Sequence, residues 1–365
     1  IYSSAGNFEV NISNSRFIEN SVHSSAESGR SSSYGAAVYL YADKLNVTHN
    51  NFSENDLSAH AEGNRSYAYG AAIYSRARTQ GVTFTANTFS DNLSSATSTA
   101  NHSYVRGGAV YNDSRNGQAD FTNNTFLENT AESEVLGKRA YVYGGAVYNY
   151  SQSSLLKNNI LSENLTDAIS HGDYAYSYGG AFYNYNRGGH SLIQNNNATQ
   201  NSSVAKSDGL KSRTYAYGGA IYNYSYDQDS NFSGNVLNHN EVHSTLVGDS
   251  AYAYAAGAAL YNYTRLGSVS FVDTEMNHNS LEAKSDGNKS RAYAYGSALY
   301  SRSPKGAATI TDAEFNANHS TVSTTGKLAY LYGGAVYNNS ESSSISRSHF
   351  KLTHSDVDAT GVKAN

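Results

Sequence analysis

The chain has 365 residues and a formal net charge of -5, from 25 Lys and Arg against 30 Asp and Glu. It has no Cys, so no disulfide framework holds it, and no basic block, which sets aside nucleic acid and anionic membrane as partners. No apolar run approaches the ~20 residues a membrane helix needs, so no membrane insertion of this segment is expected.

In chain order, Ile1-Tyr2-Ser3-Ser4 aligns with Ile73-Tyr74-Ser75, so the sequence opens inside a repeat. The marker, clearest as Tyr141-Val142-Tyr143-Gly144-Gly145-Ala146-Val147-Tyr148-Asn149-Tyr150, has its first Gly at Gly35, Gly70, Gly107, Gly144, Gly179, Gly218, Gly257, Gly296 and Gly333. A period of roughly 37 residues belongs to a solenoid, propeller or array. A second motif follows each marker: Phe17-Ile18-Glu19-Asn20, Phe52-Ser53-Glu54-Asn55, Phe89-Ser90-Asp91-Asn92, Phe126-Leu127-Glu128-Asn129 and, more loosely, Leu161-Ser162-Glu163-Asn164. Before it runs a short alternating stretch such as Phe8-Glu9-Val10-Asn11-Ile12, the signature of a half-buried strand. The closing residues, 358–365, match the linker that elsewhere precedes the next marker. With no cap evident at either end, the expectation is a segment of a longer chain or a stacking subunit.

Length variation fixes the class. Repeats differ only in steps of two residues, and a one-residue slip would turn every later side chain to the opposite face, whereas two preserves it. The expected fold is all-β: one array over 1–365, a right-handed parallel β-helix (β-solenoid) of about ten coils with three strands each. The handedness follows the usual crossover preference. A propeller is the runner-up, disfavoured by repeat length and blade number. Stacking places Val110, Val147, Phe182, Ile221, Leu260, Leu299 and Val336 in an apolar ladder. It places Asn20, Asn55, Asn92, Asn129 and Asn164 in an amide ladder at a bend.

Gly-Gly-Ala-(Ile/Val) alternating with Phe-x-x-Asn resembles the repeats of the chlamydial polymorphic outer membrane proteins and of autotransporter-type surface adhesins. The resemblance covers nearly the whole chain and is strongest at Gly107 to Asn129, Gly144 to Asn149 and Gly218 to Asn223. It implies a right-handed β-helix exposed on a cell surface and acting in adhesion. The repeats here are longer and are flanked by tyrosines, and no outer-membrane barrel is read within residues 1–365.

Tyrosine, present 33 times, is the unusual signal. Tyr148 and Tyr150 have opposite parity to Val147, so they are expected to point outward. Tyr111, Tyr183, Tyr185, Tyr222, Tyr224, Tyr261 and Tyr263 would stack with them into exposed rows. Tyr141 and Tyr143 share parity with Val147 unless the glycines flip the strand, which leaves both placements open. The rows either only stabilise the ladder or form an aromatic surface for self-association or glycan docking.

Enzyme chemistry would need a unique cluster of acids, and the nearest, Asp227 with Asp229, reads better as turn carboxylates. Glu19, Glu54, Asp91, Glu128 and Glu163 form an outward ladder. His239 and His278 share a register without a recurring third ligand, so neither metal nor cofactor is expected. Among Asn-x-Ser triplets, Asn64, Asn101 and Asn288 sit in variable linkers and are the candidate glycan acceptors. The expected function is therefore non-enzymatic: an extracellular structural or adhesive solenoid that forms or decorates a surface filament by stacking or bundling. The alternative is an adhesin stalk binding a host glycan or protein, and a polysaccharide-acting enzyme ranks below both.

Overall fold

A computed structural model describes residues 1–4 and 8–360; the last five linker residues, 361–365, lie outside that range. All regular structure in it is β, and every named strand pairing is parallel, with register shifts only inside the long strands of one sheet. A ten-stranded sheet counts the coils, so the β-solenoid of about ten turns is as expected.

One coil illustrates the rest. Arg139–Tyr143 lies in sheet I, Val147–Lys157 in sheet II, Ile160–Ser162 in sheet III and Leu165–Ser170 in sheet IV. Sheets I and II are the two halves of the tyrosine marker, parted at its glycine. Sheet IV is formed by what the sequence presents as variable linker.

Three corners separate these strands, and each uses a left-handed residue. Gly144 has φ 69°, and a Cβ there would stand 2.0 Å from the Val147 carbonyl oxygen, which is why the first marker Gly recurs in every coil. The other two corners pair a left-handed residue with a following Asn, as in Asn123-Asn124 and Glu128-Asn129, with φ 56° and 52° at the first member.

Two core compartments result. Sheets II and III enclose large side chains: Phe17, Phe52, Phe89 and Phe126 stack with centroids 4.7, 4.9 and 5.0 Å apart. Each fully buried ring contributes about 1.5–3 kcal/mol. Sheets I and IV enclose small ones, among them Ala140, Val142, Ala168 and Ala175. That part of the coil is accordingly thin.

The even-number rule has a physical location. Extra residues enter at two corners only. One lies within sheet II, where Ser114 pairs Ser151 and Gln118 pairs Ser153. The other lies between sheets IV and I, where Ser170 pairs Ser207 but Tyr174 pairs Arg213. Beyond each insertion the apolar residues of both coils again share one face.

Candidate functional site: the tyrosine groove

The marker glycine settles the placement of the leading tyrosines. Its positive φ inverts the alternation, so Val142 and Val147 both point inward although five residues apart. Tyr141 and Tyr143 therefore face outward with Tyr148 and Tyr150. Sheet I carries an outer row through Tyr67, Tyr104, Tyr141, Tyr176, Tyr215, Tyr254, Tyr293 and Tyr330. Its inner row, next to the corner, runs through Tyr143 and Tyr178. On sheet II the row nearest the corner is unbroken over ten coils: Tyr2, Tyr39, Tyr74, Tyr111, Tyr148, Tyr183, Tyr222, Tyr261, Tyr300 and Tyr337. Beyond it stand Tyr150, Tyr185, Tyr224 and Tyr263.

The expected exposure needs correction at three rings of the ten-ring row, Tyr74, Tyr111 and Tyr148, which are buried, whereas Tyr183, Tyr222 and Tyr261 are half-buried. Tyr111 and Tyr148 are only 5% and 8% exposed, although both lie on the outer face of sheet II. Tyr143, across the corner, meets Tyr148 edge-on at 6.1 Å and Tyr183 at 5.1 Å. Outward rows on a convex corner would diverge, whereas these converge. The I–II corner is thus re-entrant, and the two outer faces line a groove that runs the length of the described coils. Tyr150, Tyr185, Tyr224 and Tyr263, farther from the corner, stay half-exposed.

Burial raises the phenol pKa values in the groove: Tyr74 to about 12, and Tyr148, Tyr183, Tyr222 and Tyr261 also above their ordinary value. The groove is therefore lined with neutral hydroxyls at physiological pH. Arginines border it. On the outermost register of sheet I, Arg139 lies over Tyr174 at 4.9 Å and Arg213 over Tyr252 at 5.2 Å. On sheet II the Tyr150 row is replaced by Arg76 and then Asp113, a buried carboxylate held by Arg115 at 2.8 and 3.0 Å.

The amide ladder stands where it was expected. Asn20 Nδ2 donates to Asn55 Oδ1 at 2.9 Å, Asn55 to Asn92 at 2.8 Å, Asn92 to Asn129 at 2.8 Å and Asn129 to Asn164 at 3.0 Å. Two further ladders accompany it. One joins Asn50, Asn87, Asn124, Asn159 and Asn196 at the corner between sheets II and III. The other, inside sheet II, joins Asn112, Asn149, Asn184, Asn223 and Asn262. The alternation Tyr-Asn-Tyr so places phenols outside and amides within.

The remaining candidates disperse. Glu19, Glu54, Asp91, Glu128 and Glu163 are exposed corner residues, and Asp91 beside it raises the Glu128 carboxyl above its usual range, with smaller contributions from desolvation and Glu163. Asp229 accepts from the Ser268 backbone N–H at 2.8 Å, a turn role, while Asp227 is exposed. His239 and His278 stack at 4.9 Å in the open. A grouping the sequence did not suggest, His319, His354 and Asp356, brings potential ligand atoms within 4.8 Å on the last coils of sheet IV. Asn64 and Asn288 are exposed at the IV–I corner; Asn101 is half-buried and donates to Asn64 at 3.0 Å.

No helix of the described residues is long and apolar enough to cross a membrane. No protein-family model, curated protein or solved structure matches the chain.

Proposed function

We propose that the chain is an extracellular, non-catalytic structural rod that adheres through its tyrosine groove. The observation that carries the reading is the groove itself: aromatic rows repeated on nearly every coil, on the outside of the rod, where the core gains little from them. Tyr combines an apolar face with a polar tip, the combination suited to surfaces that bind while remaining wet. Repetition at the coil spacing of ~4.8 Å gives many weak contacts acting together.

Self-association into a surface filament, by end-to-end stacking or lateral bundling, is the first reading. The concavity of the groove favours a second, because a linear guest such as a polysaccharide strand fits a re-entrant corner better than a flat neighbouring rod does. Electron microscopy of the purified chain, with and without Tyr141→Ser, Tyr176→Ser and Tyr215→Ser together, tests both. These rings lie on the outer row, so the triple variant should keep its fold while losing bundling or binding to a polysaccharide panel. Wild-type protein that stays as single rods at high concentration and binds no member of the panel overturns the proposal.

A further inference from the structure

The inner row of sheet I is broken twice. In register it reads Tyr34, Tyr69, Arg106, Tyr143, Tyr178, Tyr217, Ala256, Tyr295 and Tyr332. Where the row is intact, each ring meets the ten-ring row edge-on or tilted: Tyr34 on Tyr74 at 5.2 Å and 77°, Tyr143 on Tyr183 at 5.1 Å and 74°, Tyr295 on Tyr337 at 5.2 Å and 72°.

Both breaks provoke one response. The tyrosine preceding the break lies flat on the next coil's ring instead of edge-on. Tyr69, before Arg106, stacks on Tyr111 at 5.0 Å and 22°. Tyr217, before Ala256, stacks on Tyr261 at 4.9 Å and 17°. What fills the space then differs. At the first break the Arg106 guanidinium lies 5.3 Å from the Tyr69 ring, 5.7 Å from Tyr143 and 5.2 Å from Tyr148, a cation held by three aromatic faces. At the second, Ala256, itself only 1% exposed, lies beside a cavity of about 380 Å³ lined by Tyr217, Tyr261, Tyr295, Tyr300 and Arg302. Arg302 is exposed, lies over Tyr263 at 5.4 Å and also hydrogen-bonds Tyr300 at the edge of the cavity.

We infer that the Ala256 notch is an aromatic cage for a guanidinium group, an arginine side chain presented by a partner polypeptide. Arg106 shows, within the same chain and at the equivalent register position, what this geometry accepts. Phenol faces attract a planar cation through their quadrupoles, most strongly where water is thinned. Guanidinium is also weakly hydrated and flat, so it enters a slot one ring wide more readily than a compact ammonium. The inference rests on the two ladder breaks and not on the adhesive reading. The notch can fail as a cage while the groove still binds, and the reverse.

The test is titration of the full chain with N-acetyl-arginine amide, followed by calorimetry or by shifts of the tyrosine ring resonances. Wild type should bind one equivalent through the notch. Ala256→Arg should supply its own guanidinium and lose that equivalent, and Ala256→Tyr, which completes the row, should lose it too. Arg106→Ala should open a second cage and raise the stoichiometry to two. Should Arg106→Ala fail to fold, the two Ala256 variants still decide the matter, with far-UV circular dichroism confirming that each keeps the wild-type fold. Binding unchanged in Ala256→Arg, or a preference of wild type for N-acetyl-tyrosine amide or glucuronate over the arginine probe, overturns the inference.

Discussion

Asn129→Ala probes how much one rung of an amide ladder contributes. The Asn129 Oδ1 accepts from the Asn92 backbone N–H at 3.2 Å and from Asn92 Nδ2 at 2.8 Å. Its Nδ2 donates to the Phe89 carbonyl at 2.9 Å and to Asn164 Oδ1 at 3.0 Å. Asn92, Asn129 and Asn164 are all fully buried, so water cannot replace what is lost. Truncation strands two Asn92 donors and removes one donor from the Phe89 carbonyl; Asn164 Oδ1 keeps the Asn129 backbone N–H at 3.1 Å. At ~1–3 kcal/mol for each stranded group, the cost is about 2–6 kcal/mol.

Asn129→Asp separates hydrogen bonding from packing. A carboxylate would face the Phe89 carbonyl and Asn164 Oδ1 with no proton to offer, so its folded-state pKa must lie above the ordinary carboxylate value of about 3.9. A raised acid pKa penalises the fold above that ordinary value. The penalty should shrink as pH falls, when the neutral acid can donate again. Urea unfolding followed by far-UV circular dichroism at pH 7 and pH 4 measures both variants. A cost below about 1 kcal/mol for Asn129→Ala, no larger than for half-buried Asn20→Ala in the first coil, would refute the reasoning.

Two other outcomes follow from the groove and the corners. In a spectrophotometric titration the groove tyrosines Tyr74, Tyr148 and Tyr222 should resist ionisation beyond the ordinary tyrosine range. Because folded pKa values above 10.0 favour the protonated fold, stability should be intact below pH 10 and decline as pH rises beyond it; titration of all tyrosines together at 10 before unfolding would contradict the burial of these rings. Deleting Asn116 and Gly117 together should be better tolerated than deleting Asn116 alone. The double deletion recreates the shorter corner that Ser151–Ser153 already makes, whereas the single one leaves an odd count; equal melting temperatures would count against the even-number rule.

How far the sequence spoke can be traced residue by residue. Parallel stacking was legible because every length change was even, and the Asn20-type ladder because its Asn closes a recognisable Phe-x-x-Asn. The Asn50 ladder was not, since His49-Asn50-Asn51 reads as an ordinary polar turn. The Asn112 ladder was hidden behind the conspicuous tyrosines on either side. Sheet IV escaped notice because its inward residues, such as Ser94, Ala96 and Ser98, are too small to leave an apolar alternation. Parity alone could not place Tyr141 and Tyr143, because the answer lies in a backbone angle at Gly144. The inward fold of the corner is a tertiary property with no local signature. The row breaks, by contrast, are printed in the sequence, as Tyr104-Val105-Arg106-Gly107 and Tyr254-Ala255-Ala256-Gly257, once the outward register is known.

The absence of native Cys makes cross-linking the most direct measurement of coil-on-coil register. Thr97 pairs directly with Glu134 on the outer face of sheet IV, while Glu132, on the same face, pairs with Ser95. Parallel neighbours ~4.8 Å apart fall within disulfide reach, and a two-residue offset along the strand exceeds the ~7 Å limit. Thr97→Cys with Glu134→Cys should oxidise to an intramolecular disulfide in the folded chain, and Thr97→Cys with Glu132→Cys should not. If the offset pair closes as readily as the direct one, or the direct pair fails to close, like residues do not lie over like and the solenoid account is wrong.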